Sequence, residues 1–258
     1  MNLAPNGKPS NLTPEQYRLV RTSAFKNWFG DWENSPETAS KVVDENGEPL
    51  VVLHNTHTYD NDVYDSKTQT FGVQEFDAES WSKESGYYEF KTPKTQVIPI
   101  WFYLHYQQKG IKKPFDSVRL FYELWAIPFF LNIKNIFDTC NHSDLKKLEI
   151  YAIKTYGKDF VGLANEIKCN SYNSVEHSYS FYKNKDINNE NFGSIPALIK
   201  EMEYDAYTIK DEGGTIAVFD KGNYKIADGS NTTFDGNNHD ISFQKGGNIN
   251  FEYTIGGL

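Results

Sequence analysis

Cysteine is scarce in this chain: only two occur in 258 residues, Cys140 and Cys169. Neither belongs to a CxxC pair or to a Cys/His set at metal-ligand spacing. A disulfide framework and a zinc site are therefore disfavoured, and a reducing interior suits the chain better. Long apolar runs are missing too. The longest, "LWAIPFFL" at 124–131, is strand-sized and carries Pro128, far short of the roughly 18 residues of a membrane helix. Positive charge is outnumbered, with 26 Lys+Arg against 35 Asp+Glu and a net charge of −9. Such a chain has no general means of replacing the counterions around nucleic acid or anionic membrane, although a local basic patch stays open. The opening "MNLAPNGKPSNL" lacks the apolar core and cleavage site of a signal peptide. It reads as a polar linker, of a kind that would suit a domain cut from a longer polypeptide.

Several reaction classes lack their signatures as well. There is no HExxH and no G-x-S-x-G. The glycine pair in "DEGG" (211–214) sits in a hairpin turn, without the helix N-terminus that a phosphate cradle requires. A retaining carboxylate pair stays open only because acidic residues are abundant.

Aromatic residues are what the chain does have, at 16%, with 18 Phe, 17 Tyr and 5 Trp. Much of the apolar burial must come from them, and a chain of this length buries a sizeable core. Thr13-Pro14-Glu15-Gln16 predicts a helix start: a threonine cap, proline at the first helical position, and glutamine three residues after the cap. A second helix is expected from a Ser23 cap, carrying Phe25, Trp28 and Phe29 towards Trp32 and ended by Gly30. The unit is either a helical collar packed on the main domain or a partner-binding surface.

"SKVVDENGEPLVVLH" gives two apolar runs around Asn46-Gly47, a hairpin signal. Strands are expected over 97–106 and 126–135, with a short helix at 116–124 between them. Helices broken near Gly157 are expected over 143–167, and one capped by Ser194 follows a polar excursion at 170–193. "YDAYTIKDEGGTIAVFD" reads as a hairpin and the tail as turn-rich. No internal repeat stands out. The order predicts an α+β fold with a largely antiparallel sheet, partitioned as linker 1–12, collar 13–40, main domain 41–228 and tail 229–258.

Within this frame, "LVVLHNT" delivers His54 and Thr56 to one face of a strand end, where an imidazole and a hydroxyl can converge on one ligand. The stretch "LVRTSAFKNWFGDWENSPETASKVVDENGEPLVVLHNT" resembles the N-terminal part of ADP-ribosyltransferase-like domains of phage and mobile-element polyvalent proteins. "MEYDAYTIKDEGGTIAVFD" and "ADGSNTTFDGNNHDISFQ" resemble their closing strands and tail. The middle of the chain matches less well. These domains belong to the H-Y-E division, shared with diphtheria-type toxins and poly(ADP-ribose) polymerases, and the resemblance implies a split antiparallel sheet with NAD as substrate and no metal.

Residue by residue, the resemblance lays three motifs on the chain. "HNT" takes the place of His-Gly-Thr: His54 would bond an NAD ribose hydroxyl, the Asn55 backbone would hold the nicotinamide amide, and Thr56 would help fix His54. Asn in place of Gly is a departure, eased by the readiness of Asn to visit positive φ. "PIWF" and "SVRLFY" are laid on the second motif, with Trp101 and Tyr122 as the rings that sandwich nicotinamide, the alternative being two ordinary core aromatics. "TIAVFD" fits the third motif's strand but puts Thr215 where the catalytic glutamate belongs, with Glu212 nearby in the turn. Threonine supplies no negative charge for an oxocarbenium-like centre, a deficit worth roughly 3 to 4 kcal/mol per well-placed group. The resemblance thus implies single ADP-ribose transfer with release of nicotinamide in a bacterial cytoplasm, by a toxin-like effector whose macromolecular acceptor is protein rather than nucleic acid. An inert NAD-, ADP-ribose- or protein-binding module, or an NAD glycohydrolase, is the alternative.

Overall fold

A computed structural model describes residues 2–57, 99–104, 124–171, 174–175, 194–210, 214–227 and 234–237. The first helix, α1 (Pro14–Val20), starts on the expected capping box: the Thr13 hydroxyl accepts from the Gln16 amide at 3.2 Å, and the Gln16 side chain accepts from the Thr13 amide at 3.0 Å. The cap of α2 (Ser23–Phe29) differs from expectation. Thr22, still extended, accepts from the Phe25 amide at 3.3 Å, and Ser23 is already inside the helix. Gly30 ends α2 at φ 101°, a conformation that favours glycine, and it sits against Ala39 too closely for a side chain.

The aromatic unit forms core. Phe25 and Phe29 are fully buried, and Trp28 and Trp32 nearly so, in one cluster with Val51, Phe130 and Phe234. Five other rings surround Phe25 with centroids 4.8 to 5.8 Å away, mostly edge-on, the arrangement aromatic quadrupoles prefer. Beside it lies a cation network. The fully buried Glu48 accepts from Arg21 at 2.7 Å, while the guanidinium lies 3.5 Å over the Tyr17 ring and also reaches Glu33.

The stretch expected as a polar linker instead closes into a turn bridged at Leu3↔Pro9, and "DENGEPL" closes likewise at Val43↔Pro49. Both turns use an Asn-Gly with glycine near φ 80° (Gly7 at 80°, Gly47 at 82°), and Asn6 donates to Asn46 across them at 3.0 Å. This short structural repeat, "NGKP" against "NGEP", escaped the sequence reading because so few residues carry it. Instead of the expected regular hairpin, only that bridge forms.

Seven strands make one mixed sheet among the described residues: β1 (Val52–His57), β2 (Ile100–Tyr103), β3 (Leu124–Leu131), β4 (Ile136–Asp138), β5 (Ala206–Ile209), β6 (Thr215–Val218) and β7 (Tyr224–Ile226), in the order β4-β5-β6-β2-β1-β3-β7. Every neighbouring pair is antiparallel except β4 with β5. The fold is thus α+β with a mostly antiparallel sheet.

Connectivity forces the sheet to curl. β3 and β4 stand five places apart in the order, about 24 Å if the sheet were flat. Yet only residues 132–135 join them, a span of at most about 18 Å. Packing agrees: Phe102 on β2 and Tyr224 on β7, three places apart, have ring centroids 5.5 Å apart. The inner face therefore closes on itself as a core of Val52, Phe102, Phe129, Ile216 and Tyr224 among others.

Helices cover the outer face in two patches. Over β5, β6 and β2 lie α3 (His142–Tyr156), α4 (Leu163–Glu166) and α5 (Ile195–Glu201), through Leu148, Leu163 and Leu198. Gly157 at φ 108° ends α3, breaking the helical run where expected, and Ser194 caps α5 by accepting from the Ala197 amide at 3.2 Å. Over β3 and β7 lie α1 and α2, tied by Gln16 to the Ala227 carbonyl at 2.6 Å and by the Trp28 indole to the Gly222 carbonyl at 2.9 Å. The helix expected at 116–124 lies outside the described residues except at its last position, Leu124, which begins β3 instead.

Candidate functional site

Two unlike neighbours make β1 a seam in the sheet. It pairs with β3 along its whole length, from Val52↔Phe129 to His57↔Leu124, but with β2 at Leu53↔Tyr103. One residue further on, a side chain continues the connection to β2: His54 Nδ1 lies 2.8 Å from the Trp101 carbonyl oxygen. A carbonyl only accepts, so Nδ1 carries the proton and Nε2 is the ring's acceptor. Burial pushes the imidazole pKa below its ordinary 6.5, against the opposing pull of the Trp101 bond. At neutral pH the ring is uncharged, held in one tautomer and one orientation.

Among the described residues, two inner-core rings flank His54. Phe102 and Phe129 lie 5.5 and 6.3 Å away, ring centre to ring centre. These flanking rings were missed in the sequence. Phe102 adjoins Trp101, and choosing between them requires the β1–β2 register, which a single strand's alternation does not supply.

Trp101 itself faces the other way. Adjacent strand residues point to opposite faces, and the Trp101 ring packs edge-on to Tyr207 at 5.4 Å in the helix-covered core. Thr215 opens β6, 8% exposed, opposite Tyr103 on β2 and Ile209 on β5. It shares its face with Ala217, which belongs to the same helix-covered core as Trp101. The strands carrying His54, Trp101 and Thr215 are thus immediate neighbours, β1, β2 and β6, while the imidazole emerges on the inner face and the other two side chains on the outer. Asn55 and Thr56 stand opposite Ala126 and Trp125 on β3, and nothing further is described of their side chains. Tyr122 and Glu212 lie outside the described residues.

Among the described residues, no group of three or more His, Cys, Asp or Glu stands together as a metal site. Nor is any helix among them long and apolar enough to cross a membrane.

Fold and site together define an α+β protein whose curled sheet holds a neutral, tautomer-fixed histidine at the seam between two strands. Compared with known proteins, the chain matches no family model, no curated protein and no solved structure.

Proposed function

We propose that this chain is an ADP-ribosyltransferase-like protein that binds NAD at the β1–β2 seam and transfers ADP-ribose to a macromolecular acceptor with release of nicotinamide. The observation that carries this reading is the adjacency of β6, β2 and β1. Three segments far apart in sequence, each singled out by its resemblance to one of the family's motifs, run side by side. The split of the sheet belongs to the same reading, supported by the way β1 leaves β2 after Leu53 and by the imidazole that spans the gap to Trp101.

The chemistry of His54 suits a nucleoside ligand. In this reading a ribose hydroxyl is met by the ring of His54, whose orientation is fixed by its Nδ1–H bond to the Trp101 carbonyl, and a fixed orientation lowers the entropic cost of binding. NAD would bring the reactive bond, between nicotinamide and ribose. The protein's part is to hold the ribose at His54, to take the nicotinamide amide on the backbone at Asn55, and to exclude water. Thr215 supplies no negative charge and its side chain lies on the face away from His54, so transfer is expected to be slow, by about two or three powers of ten relative to a glutamate serving the site. A carboxylate supplied by the acceptor would offset part of this.

A second reading, an inert NAD- or ADP-ribose-binding module, draws on two observations: the Trp101 ring is engaged with Tyr207 rather than set beside His54, and Thr215 is nearly buried. Incubation with labelled NAD and a cell lysate separates the readings. Label on protein supports transfer, free ADP-ribose supports hydrolysis, and calorimetric NAD binding without turnover supports the inert module. His54→Ala is expected to weaken NAD binding at least tenfold. Unchanged affinity in that variant would remove the imidazole from the site, and absence of NAD binding by the wild type would overturn both readings.

A further inference from the structure

The two cysteines, 29 positions apart in sequence, meet in the fold at the end of β5. Two peptide segments follow one another along the same edge of that strand. β4 pairs in parallel as far as Asp138↔Thr208, and the Thr139 hydroxyl donates to the Thr208 carbonyl at 2.7 Å. The chain then turns away at Cys140 into α3. The next position on that edge, the Lys210 amide, donates to the Cys169 carbonyl at 2.6 Å. Residues 208 and 210 are one pleat repeat apart, about 7 Å, so the backbones that bind them lie side by side. The side chains are close enough to act on one another, Cys169 being one of the groups that raise the Cys140 thiol. Both residues are free and half-buried, so a small oxidant reaches them.

We propose that Cys140 and Cys169 form a dithiol/disulfide pair, a redox-modification site that clamps the end of β5. The oxidant class is a small disulfide such as oxidised glutathione. One cysteine thiolate attacks it, forming a mixed disulfide and releasing one glutathione thiolate. The second cysteine loses its proton, attacks the protein sulfur of that adduct, and expels the other glutathione. Two S–H bonds become one S–S bond, and two electrons pass to the oxidant, which leaves as two thiols.

The clamp acts on the hairpin that presents Thr215. Ile209 is the register partner of Thr215, and Lys210 is the next residue, bonded to Cys169. Joining Cys140 to Cys169 fixes the β4–α3 turn, the segment after α4 and the end of β5 to one another, and restricts the unfolded chain by a closed loop. Burial and the contact with Cys169 push the Cys140 thiol up to about 11. Closure is therefore expected to be slow at neutral pH and to quicken as pH rises. This inference does not depend on the ligand of His54.

Because the chain has no other cysteine, the test is unambiguous. The full chain is equilibrated with oxidised and reduced glutathione, quenched with acid, and examined by mass spectrometry and maleimide labelling. The expected product is about 2 Da lighter, monomeric on a non-reducing gel, without reactive thiol, and raised in Tm by about 5 °C. Cys140→Ser and Cys169→Ser, checked for folding by circular dichroism, are expected to keep a stable glutathione adduct, since neither has a resolving thiol. The proposal is overturned if the wild type keeps both thiols, retains glutathione as stably as the single variants do, or forms disulfide-linked dimers instead.

Discussion

At the scale of single residues, His54 couples the site to stability. Its pKa lies below 6.5 because burial disfavours the imidazolium, so the unfolded chain takes up this proton before the folded one. The associated stability is full above pH 6.5 and is lost as pH falls from there towards the folded value. Thermal melts of the wild type between pH 8 and 5 should show Tm falling across the acidic end, and His54→Gln should flatten that part of the profile. An identical slope in the two proteins would mean that the imidazole is not buried as described. The sequence brought out His54 by its place at a strand end together with the resemblance of "HNT" to a His-Gly-Thr motif. It did not bring out Phe102 or Phe129 as its neighbours. Those contacts follow from the register of β1 against two strands distant in sequence, and no local pattern encodes that register.

Elements differ in how locally they are specified. The helix termini follow from short-range chemistry, and Thr13, Gly30, Gly157 and Ser194 act as their residue types suggest. Gly30 is the sharpest case, because a Cβ there would stand 2.5 Å from the Ala39 Cα, and its φ of 101° already disfavours any other residue. Gly30→Ala is accordingly expected to cost more than about 2 kcal/mol, or roughly 5 °C in Tm. A melt within a degree of wild type would show that the 30–39 turn shifts freely. The short strands β4 and β7 were not legible, since three residues carry no period. Ile136–Asp138 and Tyr224–Ile226 become strands because β5 and β3 offer them open edges. The β5–β6 hairpin was legible, having alternation, a turn signal and adjacent partners together.

For the whole molecule, the telling feature is that the first 40 residues supply most of one of the core clusters among the described residues. The sequence reads these residues as a linker and a helical collar packed on a main domain, and their side chains do pack directly on the sheet. Phe130 on β3 is fully buried against Phe25 at 5.1 Å, and Gln16 and Trp28 hydrogen-bond to the backbone around β7. Removal of residues 2–40 would uncover Phe130 on β3 together with Val51 and Ala227, which flank β1 and β7, and would leave the buried Glu48 without Arg21. A buried carboxylate stripped of its partner is strongly destabilising, and the exposed aromatic face adds to the loss. The truncated chain is therefore expected to lose cooperative unfolding and bind a hydrophobic dye at 25 °C, while Arg21→Met in the full chain, which removes the charge alone, should keep a cooperative but lower melt. If the truncated protein melts cooperatively at the wild-type temperature, the collar is an accessory after all and the curled sheet stands on its inner core. The same comparison bears on the candidate site, because β3 is both the strand that the collar covers and the strand that holds β1, and with it His54, in register.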